Sequence, residues 1–567
     1  MNLNHKICKL KGTNEKAATL VFFSIWIILT FSTCTSFREN VSPEENEIFK
    51  KALHNGVLAN EGFIRSYNYM NAWLSYADPE SKLVPRTLDR DTDIWNAQDC
   101  AADNYPFLVL TAYFTDQEKY HGIMKEMLAN EIRLTSRVKS LPDTYSFSKK
   151  GFLEDSIFMD KIIFGTSEYM KDGLLPLMEW LGESPWSERM LTMLDDLNEY
   201  VDVAGGLDEK TLGKAAEAEV NGELLQVLSR VYWMTGEQKY LDWAIQIGDH
   251  FLLGEKYPLS SFNYLRMRDH GCELVAGLCE LYVTLNFTDK KKKEAYQTPL
   301  YRLLDYILEN GRNKDGFFYN GINPKTGETV DEGLADTWGY TLNGYVSVYM
   351  IDSIAAYKEA ASQIFSKLDQ YRNYDWENDG ADGYADAVEG AINLYNRIPD
   401  ERAANWIDSE IKVMWSMQDS SHRENAQKWK GSGIIEGWYG DGNFARTSMM
   451  YSLWKSKGTY FQPWTRDIRL GAEIKGDTLF MGIQSAIPWE GKIHFDKARH
   501  TGLNMPIDWP RINQFSEWYT VDPSRTYLMM DLKTGNASKV KGESLIKGYA
   551  MKLEEKETKR LMLILVD

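Results

Sequence analysis

From about residue 46 to 457, apolar side chains recur at steps of three and four, as in Leu224, Val227, Leu228 and Val231, or Leu274, Leu278 and Leu281. That is the period of helices with a buried face. The helices come in pairs, six to seven in all, whose first members begin near Ala97, Asp155, Glu219, Asp269, Asp336, Asp382 and Gly442. A weak repeat marks the turn inside two pairs: Thr115-Asp116-Gln117-Glu118-Lys119-Tyr120 matches Thr235-Gly236-Glu237-Gln238-Lys239-Tyr240. A repeating helical hairpin buries its apolar face only by stacking on its neighbours, and six hairpins close a ring. Turns within hairpins are short, as at Ile398 to Glu401, whereas the connections Gly205 to Ala218, Gly254 to Arg268, Gly311 to Ala335 and Asp419 to Asp441 are long. Long loops in compact domains tend to carry function. With helices alternating in direction, all of them gather on the face where the inner helices start. After Pro463 the period changes to two, in Ile468, Leu470, Ala472 and Ile474, in Leu479, Met481 and Ile483, and in the run Arg560 to Val566, which predicts strands. The expected architecture is therefore mainly α: an (α/α)6 toroid of helical hairpins over residues 46–457, followed by a C-terminal β-sandwich over 458–567.

The N-terminus sets a compartment. Lys6, Lys9, Lys11 and Lys16 precede an uninterrupted, mostly apolar stretch from Ala17 to Phe31, too short to span a bilayer and typical of a secretory signal. Phe31-Ser32-Thr33-Cys34 resembles a relaxed bacterial lipoprotein cleavage site. Residues 1–33 are thus expected to be a signal peptide and 34–45 a linker, with Cys34 lipidated and the protein anchored to a bacterial membrane, facing the periplasm or the cell surface. Cys100, Cys272 and Cys279 are expected to be buried free thiols, because two cysteines two helical turns apart cannot form a disulfide.

Charge narrows the partners. The chain of 567 residues carries 82 acidic against 64 basic side chains, a formal charge of −18, which argues against binding nucleic acid. Loss of residues 1–33 removes four Lys and one Glu and takes the charge to −21. An anionic ligand must then be met by a few local cations.

The long loops deliver acids and amides onto helix starts: Asn96, Asp99 and Asp103; Glu219, Asn221 and Glu223; Asp269, His270 and Glu273; Asp336 and Asn343; Asp382, Asp386 and Glu389; Asp441 and Asn443. Any one of these fits a helix cap. Their repetition on one face suits glycosidic-bond hydrolysis, which needs one protonated and one ionised carboxyl group across a cleft. Glu219, Asp269, Glu273 and Asp336 are the candidate catalytic acids. Asp269 and Glu273, four apart, would face one another and raise each other's pKa. Asp99, Asp103, Asn221 and Asn343 are candidate substrate ligands. Arg266, Arg268 and His270 are the expected partners of a substrate carboxylate. Trp338, Tyr340, Trp438 and Tyr439 are candidate platforms for sugar rings. Asp375, Glu377, Asp379, Gly380 and Asp386 fall at calcium-loop positions, with Asp where the twelfth position usually has Glu. No zinc, phosphate-loop or dinucleotide motif is present, so no cofactor is expected beyond this weak calcium candidate.

The hairpin array with its trailing strands, together with Ala335-Asp336-Thr337-Trp338-Gly339-Tyr340, Asp379-Gly380-Ala381-Asp382-Gly383-Tyr384-Ala385-Asp386 and Glu436-Gly437-Trp438-Tyr439-Gly440-Asp441-Gly442, resembles six-hairpin (α/α)6 glycosidases. Within them it looks most like the bacterial lipoprotein β-glucuronidase-type group, glycoside hydrolase family 154. The resemblance implies an exo-acting hydrolase that releases an acidic sugar, such as glucuronic acid, from oligo- or polysaccharides. Two other readings stand beside it. One is a polysaccharide lyase using Tyr264, Tyr340 or His270 for proton transfer, with Asn343 or an Arg neutralising the uronate. The other is a non-catalytic glycan-binding lipoprotein.

Overall fold

A computed structural model of the chain describes residues 42–200, 214–377, 380–419, 431–435 and 442–566. The signal segment and Cys34, and also Asp379, Trp438 and Tyr439, lie outside the described residues. Among those described, no helix is long and apolar enough to cross a membrane.

Two kinds of helix build the structure, and composition separates them. Glu273–Thr288, Trp338–Asp352 and Gly442–Lys455 are buried on all sides over most of their length, as a helix surrounded by others must be. Their partners, such as Gln238–Leu252, bury one face, at Tyr240, Leu241, Ala244, Ile247, Gly248 and Phe251. In chain order a long helix α1 (Pro43–Leu74) is followed by six hairpins. These are α2 (Tyr105–Thr115) with α3 (Ile123–Thr135), α4 (Met159–Glu168) and α5 (Leu175–Leu181) with α6 (Pro185–Leu197), and α7 (Lys214–Thr235) with α8 (Gln238–Leu252). Then come α9 (Glu273–Thr288) with α10 (Lys290–Asn310), α11 (Trp338–Asp352) with α12 (Ala355–Phe365), and α13 (Ala381–Arg397) with α14 (Glu401–Asp419). A last inner helix, α15 (Gly442–Lys455), ends the helical part. The π-helical turns Ala97–Asn104, before α2, and Tyr169–Leu174, between α4 and α5, lie on the inner ring. Such turns often mark functional positions.

Each inner helix contacts the next, and α15 packs against α2 to close the circle. The closure therefore has seven inner positions among the described residues, not the six expected. Six hairpins are continuous in the chain. The seventh pair is made by its two ends, with α1 lying along α15 as its outer partner. Small residues let these backbones approach: Gly339 of α11 meets Gly390 of α13, and Gly442 meets the backbone of Asp103 and Asn104.

The C-terminal residues form two antiparallel sheets, and a further three-stranded sheet of short strands lies beside the inner ring: β1 (Leu265–Arg266), β2 (Tyr319–Ile322) and β3 (Thr329–Leu334). The C-terminal strands are β4 (Tyr460–Gln462), β5 (Ile468–Lys475), β6 (Thr478–Ser485), β7 (Trp489–His494), β8 (Thr526–Asp531), β9 (Ala537–Lys541), β10 (Tyr549–Leu553) and β11 (Thr558–Leu565). One sheet has the order β5-β6-β11-β8-β9 and the other β10-β7-β4. Both contribute to one apolar cluster, which includes Phe461, Trp489 and Ile493 with Leu479, Met481, Tyr527 and Leu563. The five-stranded sheet also packs on α1 through β5 and β6. Between β7 and β8 the chain enters the ring from the C-terminal ends of its inner helices. Trp509 packs on Val283 of α9, near Trp233 and Ile351, and Ile512 reaches Cys272, Ala276 and Tyr340. Cys100, Cys272 and Cys279 are free and buried, as expected.

Candidate active site

At the face where the inner helices start lies a cavity of about 350 Å³, lined by Arg86, Thr87, Arg90, Asp91, Gln98, Asp99, Asp103, Glu168, Asp269, His270, Glu377 and Asp382. Cavities of about 420 Å³ exist elsewhere, one beside α1 and α14; here acids from several inner elements converge.

One wall carries His270 and the carboxyl groups around it. Glu168 ends α4, Glu219 and Glu223 stand one turn apart on α7, and His270 precedes α9. His270 Nε2 is 3.7 Å from Glu168 and 3.3 Å from Asp269, and its Nδ1 is 3.9 Å from Glu223. Burial works against a charged imidazole, but Glu168, Asp269 and Glu219 outweigh it and raise the His270 pKa well above its usual value. Burial, added to repulsion among the carboxylates, pushes Glu168 and Glu223 well above theirs.

Asp269 stands apart. Its backbone is left-handed, with φ 49°, a conformation that costs a non-glycine residue energy and clusters at functional sites. Burial alone would raise its pKa; His270 and Arg266 outweigh that and hold it below the usual carboxylate range. Arg266 forms an ion pair with Asp269 and lies 3.9 Å from Glu219.

The opposite acids behave the other way. Burial, with repulsion from their neighbours, lifts Glu377 to about 9, Asp336 to about 8 and Asp382 to about 7. Asp382 accepts a 2.7 Å hydrogen bond from Asn443 Nδ2. Asp336 accepts from the Thr337 N–H at 3.0 Å and is 3.5 Å from the Asp269 backbone nitrogen. Asp103, half-buried, is raised well above its usual value by burial and by repulsion from Asp172.

Beneath the cavity lies a closed polar network. The Tyr340 hydroxyl lies 2.8 Å from Asp386 and 2.6 Å from Glu389, within hydrogen-bonding distance of both. Arg446 pairs with Asp386 at 2.7 Å and with Glu389 at 2.9 Å. Lys171 pairs with Asp172 at 2.7 Å and also with Glu273, which accepts from Gln226 as well.

The structure redistributes the sequence candidates. Asp99, Asp103, Asp269 and His270 line the cavity, and Arg86 holds Asp99 at 2.7 Å. Glu273 turns inward to Lys171. The expected Asp269–Glu273 pair does not form, because Asp269 sits in a left-handed turn ahead of α9, where helical spacing does not apply. Asn221 is buried and donates to the Glu217 carbonyl within its own helix. Asn343 is buried in α11. Trp338 is fully buried against Phe317 and Trp406, a core residue rather than a sugar platform. Tyr340 belongs to the buried network. Asp386 lies inside α13, bonded to Arg446, so it is not part of a loop with Asp375 and Glu377. Arg268 forms no ion pair among the described residues. The cations that do reach the cavity are Arg86 and Arg90. Both come from the segment joining α1 to the ring, whose alternating charges Arg86-Thr87-Leu88-Asp89-Arg90-Asp91 were the available signal.

No family model matches the chain, and no curated protein matches it. Among solved structures it is similar to the glycoside hydrolase family 76 mannosidase Bt3792 from Bacteroides thetaiotaomicron VPI-5482, at 14% identity over 69% of this chain and 98% of that one, TM-score 0.38. It is also similar to an unsaturated glucuronyl hydrolase from Bacillus sp. GL1, at 11% identity over 53% and 87%, TM-score 0.34. Cellobiose 2-epimerase from Bacillus thermoamylovorans B4167 gives 13% identity over 51% and 85%, TM-score 0.35.

Proposed function

We propose that the chain is an exo-acting glycoside hydrolase that releases an acidic sugar, a uronate of the glucuronic acid type, from oligo- or polysaccharides. The observation that carries this reading is the pairing of unlike carboxyl groups around one cavity. Asp269 is ion-paired to Arg266, whereas Glu377 sits among Asp382 and Asp336, and among the described residues none of the three has a cation at ion-pair distance. A carboxylate held by a cation serves as base or nucleophile, and one crowded by other acids keeps its proton for the leaving oxygen. Asp269 takes the first role and Glu377 the second, with Asp382 and Asp336 sustaining the proton.

The acidic substrate follows from the cavity's cations. Arg90 is mostly exposed and, among the described residues, pairs only with Asp89, 3.8 Å away, a loose contact that a substrate carboxylate can replace. Arg86 stands beside it. β-Elimination through Tyr340 is less favoured, because that side chain is buried and its hydroxyl is already engaged by carboxyl groups.

A panel of uronate-containing oligosaccharides, with products weighed by mass spectrometry, tests the reading. Hydrolysis adds one water, elimination adds none, and Asp269→Asn and Glu377→Gln should each lower kcat by about 10²-fold or more. Turnover near the parent level in both variants would reject the assignment. Export and acylation at Cys34 belong to the same proposal; a labelled fatty acid should be incorporated by the parent and not by Cys34→Ala.

A further inference from the structure

Four side chains in the cavity wall make an arrangement that the hydrolase reading does not use. One ligand atom from each of Glu168, Glu219, Glu223 and His270 lies within 4.8 Å of all the others. They come from three separate stretches of chain: the end of α4, the first half of α7 and the turn before α9.

The hydrogen bonding of this cluster is anomalous. Glu223 has no exposed surface, and neither of its carboxyl oxygens accepts a hydrogen bond; Glu168, 1% exposed, has one oxygen in the same condition. A buried carboxyl group without a partner is costly, and native structures rarely tolerate one. Asp172 and Glu410 also leave one oxygen bare, but Glu223 has both without a partner, and other buried acids of the ring are fully provided for. Glu280 has Arg230 and Trp509, Glu273 has Lys171 and Gln226, and Glu389 has Tyr340 and Arg446. The cations beside the cluster do not fill the gap. His270 stands 3.7 and 3.9 Å from Glu168 and Glu223, beyond hydrogen-bonding distance, and Arg266 lies 3.9 Å from Glu219 with its ion pair directed to Asp269.

We propose that Glu168, Glu219, Glu223 and His270 bind one divalent cation of the Mn²⁺ or Zn²⁺ kind. Three carboxylates and one imidazole form a donor set that these ions accept, whereas Ca²⁺ prefers oxygen alone. Tetrahedral bonds of about 2.0–2.2 Å put ligand atoms roughly 3.4 Å apart, so the four side chains, whose ligand atoms lie within 4.8 Å of one another, need to close by less than about 1 Å each. The cation would satisfy the Glu223 oxygens and place positive charge in the wall of the cavity. This goes beyond the hydrolase reading, since the ion is detected by its binding and not by turnover.

The test uses the full chain, freed of metal by chelation and dialysis, then titrated with MnCl₂ and followed by calorimetry and electron paramagnetic resonance. One Mn²⁺ per chain is expected, with a rise in Tm on binding. Glu223→Gln and Glu168→Gln keep the side-chain shape and should each weaken binding by at least about tenfold, the least that loss of even an outer-shell partner costs at a metal site. Asp382→Asn, in the same cavity but outside the cluster, should bind as the parent does. Should Glu223→Gln fail to fold by circular dichroism, Glu219→Gln serves in its place. Absence of Mn²⁺ and Zn²⁺ uptake by the folded parent, or full uptake by every cluster variant, overturns the proposal.

Discussion

Arg446 of the last inner helix donates Nη1 to Asn513 Oδ1 at 2.7 Å, joining the ring to a segment that lies between strands of the two C-terminal sheets. Asn513 in turn donates Nδ2 to Asp172 at 2.7 Å and its backbone N–H to Glu389 at 2.6 Å. Three inner elements thus meet on one residue supplied from outside the ring, and that residue forms the floor beneath the cavity. Its φ of 61° suits Asn, which tolerates the left-handed region better than most residues.

Replacing Asn513 separates these contributions. Asn513→Gly keeps the backbone conformation but removes the bonds to Arg446 and Asp172, leaving charged groups short of partners in the interior. A loss of about 2–4 kcal/mol is expected. Asn513→Ala should lose about 1 kcal/mol more, because Ala pays for the left-handed conformation. Urea unfolding of both variants checks the order; equal stability of parent and Asn513→Gly would show that the floor contributes nothing.

A second link runs through Glu280. Its carboxylate is held by Arg230 at 2.6 Å and by the Trp509 indole N–H at 3.1 Å, all inside the ring. Removing one partner of a buried pair strands the other charge, so Glu280→Ala should cost about 3–5 kcal/mol. Trp509 fluorescence should change in the native state as well, since the indole loses its acceptor. A variant that melts with the parent would refute this.

Which parts of this were legible in the sequence follows from how local each signal is. Inner helices could be read because acids cluster at their starts and apolar residues surround the rest, both within a few turns. The start of the last inner helix at Gly442 is legible too, but its outer partner is not, since α1 and α15 meet across nearly the whole helical region and neither carries a mark of the other. Trp338 follows Asp336 closely enough to look like a sugar platform, but whether a ring faces the cavity or the core depends on helix rotation, which composition does not report. The reading of Asp269 and Glu273 as facing acids failed at a single backbone angle. Asn513 and Arg86 lie in segments without periodicity, where only charge and amide content mark them.

The contact between α1 and β5 should be intolerant of even one methyl group. A Cβ on Gly471 would collide with the backbone of Asn55 and Gly56 and with the Ala52 carbonyl oxygen, and these are main-chain atoms that cannot swing aside. Gly471→Ala is therefore expected to cost about 1–3 kcal/mol, the usual range for overpacking. The damage should reach the ring, because the helix displaced is the outer partner of α15. Calorimetry should show a lower Tm for the whole transition. An unchanged midpoint would mean that the strand moves freely away from the helix.

The acids around Glu377 make stability depend on pH in a defined direction. Asp382, Asp336 and Glu377 are raised to about 7, 8 and 9 in the folded chain, while in the unfolded chain they ionise near pH 4. The folded state then binds more protons than the unfolded state across that interval. Their stabilising contribution is complete below about pH 4 and is lost as pH rises through 7 to 9. Glu377→Gln removes one of these ionisations and keeps the uncharged shape. Relative to its value below about pH 4, the stability of Glu377→Gln should fall less with rising pH than that of the parent, by at least about 1.4 kcal/mol at pH 9, the worth of one pKa unit. Denaturant midpoints measured across this range decide it: parallel curves for the two proteins would show that Glu377 is already ionised at neutral pH, and would remove it as the proton donor.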